Sequence, residues 1–215
     1  ILVQTSKKRC FRDEDYLNAG AEITDDISNA DIIFGVKEVD ISALIENKTY
    51  LFFSHTTKVR NYINRVTQDK AIIYKKELLR EILKKNITLI DYENIREVSG
   101  KGYRYLGFGR FAGIVGCYNT LNLYLKLQKG KSLPRAFEIN SYGKIKELLG
   151  KQNFNKLKIL QTGRGNVAKG SMEVLKHANI KQVSINDYLN KKYNEAVFCN
   201  VSTREYVERN DGKDY

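Results

Sequence analysis

The succession of elements along the chain predicts an α/β fold with mainly parallel sheets. Three observations predict it. Short β-rich apolar runs alternate with helical patterns, a glycine-rich turn joins a strand to a helix, and no internal repeat or low-complexity tract interrupts the series. With 215 residues the chain can hold one large domain or two modest ones, and either can bury a core.

In order, the strand candidates are residues 31–36, 49–54, 87–91 and 104–108. Helical periodicity marks residues 75–85, with Leu78, Leu79, Ile82 and Leu83 on one face. A second apolar helix is expected over about residues 111–127. The segment 128–134 contains the only proline, Pro134, and reads as a loop. A short helix near 142–149 follows, ending at Gly150, and a new strand-turn-helix unit opens at Leu157. These breaks suggest two domains, residues 1–125 and 126–215. The opening Ile1-Leu2-Val3-Gln4 reads as the middle of a strand, so the expectation is a truncated chain whose second domain is incomplete.

Composition excludes several classes. A hydrophobic fraction of 42% beside a charged fraction of 29% is that of an ordinary globular protein. No apolar run reaches about 18 residues, so no membrane span is expected, and the N-terminus lacks a signal-peptide pattern. Cys10, Cys117 and Cys199 are far apart and show no CxxC spacing. Neither a disulfide framework nor a metal site is expected, and a reducing, cytoplasmic setting fits. The net charge of +12 is spread along the whole chain, and Glu77 and Glu81 interleave the lysines of residues 75–85. Nucleic acid is therefore not the expected partner, and a basic protein with small acidic substrates explains the charge equally well.

Residues 157–162 have the length and apolar content of a buried strand. Gly163-Arg164-Gly165-Asn166-Val167-Ala168 follows at once, and a helix is expected over about 166–178. This is GxGxxA in the setting the motif needs, between strand and helix. Gly163 permits the turn, Gly165 lets backbone approach a pyrophosphate, and small residues at Ala168 and Gly170 allow close packing of helix on strand. The amides at the helix start, around Asn166 and Val167, can then hold phosphates. The plainer reading is an ordinary strand-to-helix turn that uses glycine for its backbone freedom. The acidic residue usual some 20 positions later is missing: Lys181-Gln182-Val183 ends in Ser184, and Asp187 arrives late.

Four further segments read together as a pattern. They are Ile32-Ile33-Phe34-Gly35-Val36-Lys37-Glu38, Tyr50-Leu51-Phe52-Phe53-Ser54-His55-Thr56-Thr57-Lys58, Leu89-Ile90-Asp91-Tyr92-Glu93 and Phe108-Gly109-Arg110-Phe111-Ala112-Gly113. They resemble the alanine dehydrogenase and transhydrogenase superfamily. The Ser-His-Thr form and the FGRFAG stretch resemble its saccharopine dehydrogenase and lysine-2-oxoglutarate reductase branch. The resemblance implies two Rossmann-like domains flanking a cleft, the first catalytic and the second holding NAD or NADP, with NAD favoured. It implies an oxidoreductase that interconverts saccharopine with lysine and 2-oxoglutarate, the L-lysine-forming sense being favoured. Lys37 and His55 match the family's catalytic residues. Glu38 and Glu93 match carboxylates near them, Arg104 an arginine beside the cleft, and Lys58 lies at a substrate contact. The alternatives are an alanine dehydrogenase-like enzyme and a non-catalytic nucleotide- or nucleic-acid-binding fragment. Val39-Asp40 stands where proline is common, and Val59-Arg60 where glutamine is expected.

The chemistry suits those residue types. Loss of hydride from a secondary amine gives an imine, water adds to it, and the carbinolamine collapses. Each step moves a proton, best served by groups that titrate near neutrality. Histidine starts there, and a lysine can be brought toward that range by burial or a neighbouring cation. Taken singly, a lysine after a strand is usually solvated and a strand-end histidine usually structural; their joint occurrence carries the reading. His177 reads as a helix-end residue and Cys117 as core.

Overall fold

The computed structural model describes every residue except 10, 63–67, 99, 101, 214 and 215. Cys10 therefore lies outside the described residues. The chain divides into two compact units, Ile1–Gly107 and Phe108–Tyr215.

In the first unit, β1 (Leu2–Val3) pairs in parallel with β2 (Glu22–Ile23), joined through helix α1 (Asp13–Asn18). A second parallel sheet follows, in the order β3 (Ile32–Phe34), β4 (Thr49–Phe52), β5 (Thr88–Asp91). Strand alternation turns Ile33, Tyr50 and Phe52 to one face. There they meet Leu78 and Ile82 of α2 (Lys70–Lys84) and the neighbouring Ile87. Helix α2 begins five residues earlier than periodicity suggests, because Asp69 caps it by accepting from the amides of Ala71 (2.9 Å) and Ile72 (3.3 Å). Leu83, expected on the apolar face, is exposed. At 100° per residue it turns away from the line through Leu78 and Ile82.

Residues 104–108 do not form a strand. Arg104 makes only an isolated antiparallel bridge with Arg96, closed by Glu97 N–H to Tyr103 O and Tyr105 N–H to Ile95 O. Gly100 (φ +100°) and Gly102 (φ +63°) make the reversal. Tyr103 and Tyr105 are exposed, so these residues have no core to join as a strand.

In the second unit α3 (Gly109–Lys129), α4 (Tyr142–Gly150), β6 (Lys158–Thr162), α5 (Asn166–His177), β7 (Lys181–Gln182), α6 (Ile185–Asn190) and β8 (Val197–Val201) follow in sequence. The parallel sheet runs β6–β8–β7. In the usual dinucleotide-binding order the second strand lies directly beside the first. Here β8 lies between them. Val197, Phe198, Cys199 and Val201 are all buried, as a central strand requires. Lys181 and Gln182 are exposed and suit an edge.

The second core gathers Ile114, Tyr118, Leu121 and Leu125 of α3 with Leu149, Val174, Leu175 and Phe198. Because α3 packs on α5 along much of its length, the division falls at its start rather than near residue 125. Two glycines make that crossing possible. A Cβ on Gly113 would lie 1.9 Å from Val167 O, and one on Gly170 would lie 1.9 Å from Arg110 O. Gly170 thus serves the contact of helix on helix, not the expected one of helix on strand. Arg110 clasps Glu173 through two hydrogen bonds (2.7 and 2.6 Å), which holds the Glu173 carboxyl below its usual range and fastens the same crossing. Among the described residues no helix is long and apolar enough to cross a membrane.

Candidate active site

In the first unit the polar side chains collect where β4 and β5 end. Phe53, Ser54 and Thr56, just past β4, are buried, as are Asp91 at the end of β5 and Glu93 just beyond it. Parallel register sets Phe52 opposite Asp91, so the two strands stop level and their following loops face one another. Open α/β sheets place ligands at such carboxyl ends.

His55 occupies the left-handed region (φ +53°), uncommon for a residue with a Cβ. Its Nδ1 lies 3.2 Å from Glu93 Oε2, the two side chains retaining 16% and 5% of their exposure. The ring N–H is not aligned for a hydrogen bond, and neither atom has another partner among the described residues. Catalytic hydrogen bonds are often loose until a substrate arrives. The other carboxylate oxygen accepts from Arg104 Nη1 at 3.3 Å. The bridge between Arg96 and Arg104 supplies that guanidinium, half exposed, to a carboxylate that burial would otherwise leave uncompensated.

Beneath this pair is a hydroxyl–carboxylate cluster. Ser54 Oγ donates to Asp91 Oδ2 (2.6 Å) and Glu93 N–H donates to Asp91 Oδ1 (2.8 Å). Ser54 Oγ also lies 2.8 Å from Thr56 Oγ1 and accepts from Thr56 N–H at 3.2 Å. Rings close the apolar side: Phe53 stacks near His55 (6.2 Å between centroids) and meets Tyr92 edge-on (5.1 Å).

The structure thus brings together His55, Glu93 and Arg104 of the residues singled out from the sequence. Lys37, in the bend after β3, is exposed and makes no ion pair among the described residues. Glu38 beside it is half-buried, and its charge reaches Tyr74. Lys58, in the 3-10 turn Thr56–Tyr62, is exposed, and its amide donates to His55 O (3.2 Å).

In the second unit the glycine turn stands at the end of β6. Gly163 has φ +91°, a backbone that requires glycine, and its amide donates to Val201 O (2.8 Å). Asn200 of β8 holds the turn from below, donating to Gly163 O at 2.8 Å. A Cβ on Gly165 would meet nothing within 4 Å, so open space fronts the start of α5, whose first turn carries no acidic residue. Asn166 and Val167 open that helix with their amides free of intrahelical partners. A cavity of about 630 Å³ adjoins them, lined by Gly163, Gly165, Asn166 and Val167 and also by Cys117 and Leu175. Burial pushes the Cys117 thiol up, which keeps it neutral. Arg164 is exposed and pairs with Glu205 at 3.1 Å. These features fit a phosphate-bearing cofactor. Asp187 belongs to α6, paired with Lys191 (3.0 Å), so it does not stand at the end of β7.

Comparison with known proteins shows the family of the first unit. The family model for the N-terminal domain of alanine dehydrogenase/PNT matches residues 1–114. The chain belongs to that family. This alanine dehydrogenase/PNT N-terminal domain thus contains all the strand-end residues described above, from Lys37 to Arg104. Among curated proteins, mitochondrial alpha-aminoadipic semialdehyde synthase of Bos taurus is 32% identical over 90% of this chain, and that match takes in 22% of its own length. Alpha-aminoadipic semialdehyde synthase of Arabidopsis thaliana is 29% identical over 98% of the chain, again 22% of its own length. The chain therefore spans about a fifth of these relatives. A solved L-alanine dehydrogenase superposes with a TM-score of 0.53 at 16% identity, over 95% of this chain and 53% of that one, a likeness of fold.

Sequence reasoning missed Ser54, Asp91 and Asn200. A polar residue at or near the end of an otherwise apolar run was the signal present for all three.

Proposed function

We propose that the chain is the acid–base and cofactor-binding portion of an amino-acid dehydrogenase of the saccharopine type, using a nicotinamide cofactor. One observation carries the reading: in a domain of the alanine dehydrogenase/PNT family, His55 faces a buried carboxylate that is itself neutralised by Arg104. The names of the relatives, alpha-aminoadipic semialdehyde synthases, support a substrate from lysine metabolism. The mammalian relatives are named as mitochondrial, whereas the free Cys117 and Cys199 suit any reducing compartment, the cytoplasm included.

The bound nicotinamide would take or give the hydride. The protein's own work is proton transfer. In the lysine-forming sense the secondary amine of saccharopine loses a proton and its neighbouring carbon a hydride, giving an imine. Water adds to that carbon with loss of a proton while the nitrogen gains one, and the carbinolamine splits into lysine and 2-oxoglutarate as its hydroxyl gives up a proton and the nitrogen gains a second. His55 takes and returns these protons, with Glu93 stabilising the imidazolium in turn. Lys37 and Lys58, both exposed cations, suit binding of substrate carboxylates. Gly163, Gly165 and the first amides of α5, at Asn166 and Val167, hold the phosphates, and Arg164 adds a cation beside them. NAD is the favoured form.

The test is turnover by the full-length protein. Reduced cofactor forming from saccharopine, and greatly slowed in His55→Ala, is the expected result. Undiminished turnover in His55→Ala would overturn the assignment. Turnover of alanine in place of saccharopine would redirect it to an alanine dehydrogenase.

A further inference from the structure

The geometry points to Ser54 and Asp91 as a buried clamp that holds His55 in its left-handed backbone conformation and turns its Nδ1 toward Glu93. Neither residue reaches a substrate-facing atom, so both are positioning residues. The inference rests on the reading of His55 as the proton carrier.

Ser54 sits immediately before His55, and its hydroxyl has one proton and two lone pairs. All three are committed. The proton goes to Asp91 Oδ2 (2.6 Å), and the lone pairs accept from Thr56 N–H (3.2 Å) and, the proton being already given away, from the Thr56 hydroxyl (2.8 Å). The bond from Thr56 N–H to Ser54 Oγ spans His55 and closes a small ring around it, stabilising a backbone that a histidine would otherwise leave. A clamp made only of residues 54–56 could still rotate as a unit. Asp91 prevents this by accepting Ser54 with one oxygen and the Glu93 amide with the other (2.8 Å). One carboxylate thus spans the ends of β4 and β5 and sets the two following loops at a fixed separation. His55 and Glu93, each one or two residues beyond the atoms so held, are left with Nδ1 and Oε2 3.2 Å apart and no other partner for either among the described residues.

The polarity of the clamp is specific. At position 91 an amide would keep an acceptor for the Glu93 N–H but offer Ser54 a donor, which Ser54 could receive only by turning its proton to Thr56 Oγ1 and so giving up the charge-assisted bond that ties it to β5. Asp91→Asn should therefore undo the clamp despite its matching size. At position 54 threonine keeps the hydroxyl and alanine removes all three bonds.

Imidazole ¹⁵N shifts of this chain, recorded at mildly alkaline pH, test the clamp without any turnover. His177, exposed at the end of α5, is the other histidine and serves as the internal reference. His55 should be the Nδ1–H tautomer in the wild type and in Ser54→Thr. It should revert to the Nε2–H form of unconstrained histidine in Ser54→Ala and Asp91→Asn. In the full-length protein the last two variants should lower kcat by roughly tenfold to 100-fold with KM unchanged, and Ser54→Thr should restore it. Ser54→Ala removes a single oxygen, and preserved amide dispersion shows that its fold is intact. An Nε2–H tautomer in the wild type, or Nδ1–H persisting in folded Ser54→Ala, would overturn the clamp, whatever the enzyme does. A tautomer that switches as expected in a protein without turnover would support the clamp and remove only the proposed activity.

Discussion

The end of β4 and the end of β6 each turn a parallel strand into a loop beside a neighbouring strand, and they are built in opposite ways. Past β4 the chain fills the space with side chains: Ser54, Thr56, Asp91 and Glu93 are buried, bonded to one another or to Arg104, with Glu93 facing His55. Past β6 it removes them: Gly163 and Gly165 expose backbone, and a Cβ on either would meet nothing within 4 Å. The first arrangement fixes one titratable ring through a web of charges. The second leaves amides and empty space for a ligand that brings its own charge. A proton carrier needs its surroundings preorganised, whereas a phosphate site needs unobstructed donors.

This contrast can be broken by substitution. The largest effect should come where glycine is structural rather than ligand-facing. Gly170→Ala would drive a Cβ against Arg110 O, at 1.9 Å, and should destabilise the second unit by about 3 kcal/mol in urea unfolding. Unchanged stability there would mean that the crossing of α3 and α5 is not as close as described. Next is Glu93→Gln, which leaves His55 beside a neutral amide. It should lower kcat of the full-length protein about 100-fold while cofactor binding is unaffected. If kcat holds and KM alone rises, Glu93 binds substrate instead.

Gly165→Ala should act in the reverse sense. Because its Cβ enters open space, folding should survive, while loss of one backbone contact to phosphate, about 1 kcal/mol, weakens cofactor binding roughly fivefold. Equal cofactor affinity in the variant would place the phosphates elsewhere. The smallest effect lies outside both strand ends. Lys144 and Lys151 hold Glu147 ionised down to about 2, from 4.5, so its contribution is present above the higher value and is lost as pH falls toward the lower. Glu147→Gln should make the acid limb of a stability–pH curve slightly shallower, a small change because the group is exposed.

Much of the framework was legible because the period of apolar residues reports which face is buried. The expected strands at 31–36, 49–54, 87–91 and 157–162 and the helices near 75–85, 111–127 and 166–178 all occur, with ends shifted by caps such as Asp69. Where period failed, pairing decided instead. Residues 104–108 looked like a strand, yet Arg104 found only Arg96, and β8, unexpected from the sequence, became the centre of the second sheet. His55, Glu93 and Arg104 were legible through resemblance. Ser54 and Asp91 were not, because a hydroxyl and a carboxylate 37 positions apart carry no local sign that they will meet.

The sequence by itself determined the α/β class, the family and the glycine turn, and it singled out His55. These depend on residue type and on spacing along the chain. Only the tertiary structure decided which carboxylate faces His55, what holds that histidine in a left-handed backbone, and which glycine serves a helix crossing rather than a ligand. Those outcomes depend on strand register and on how closely two helices approach, and both are set by the packing of residues far apart in sequence.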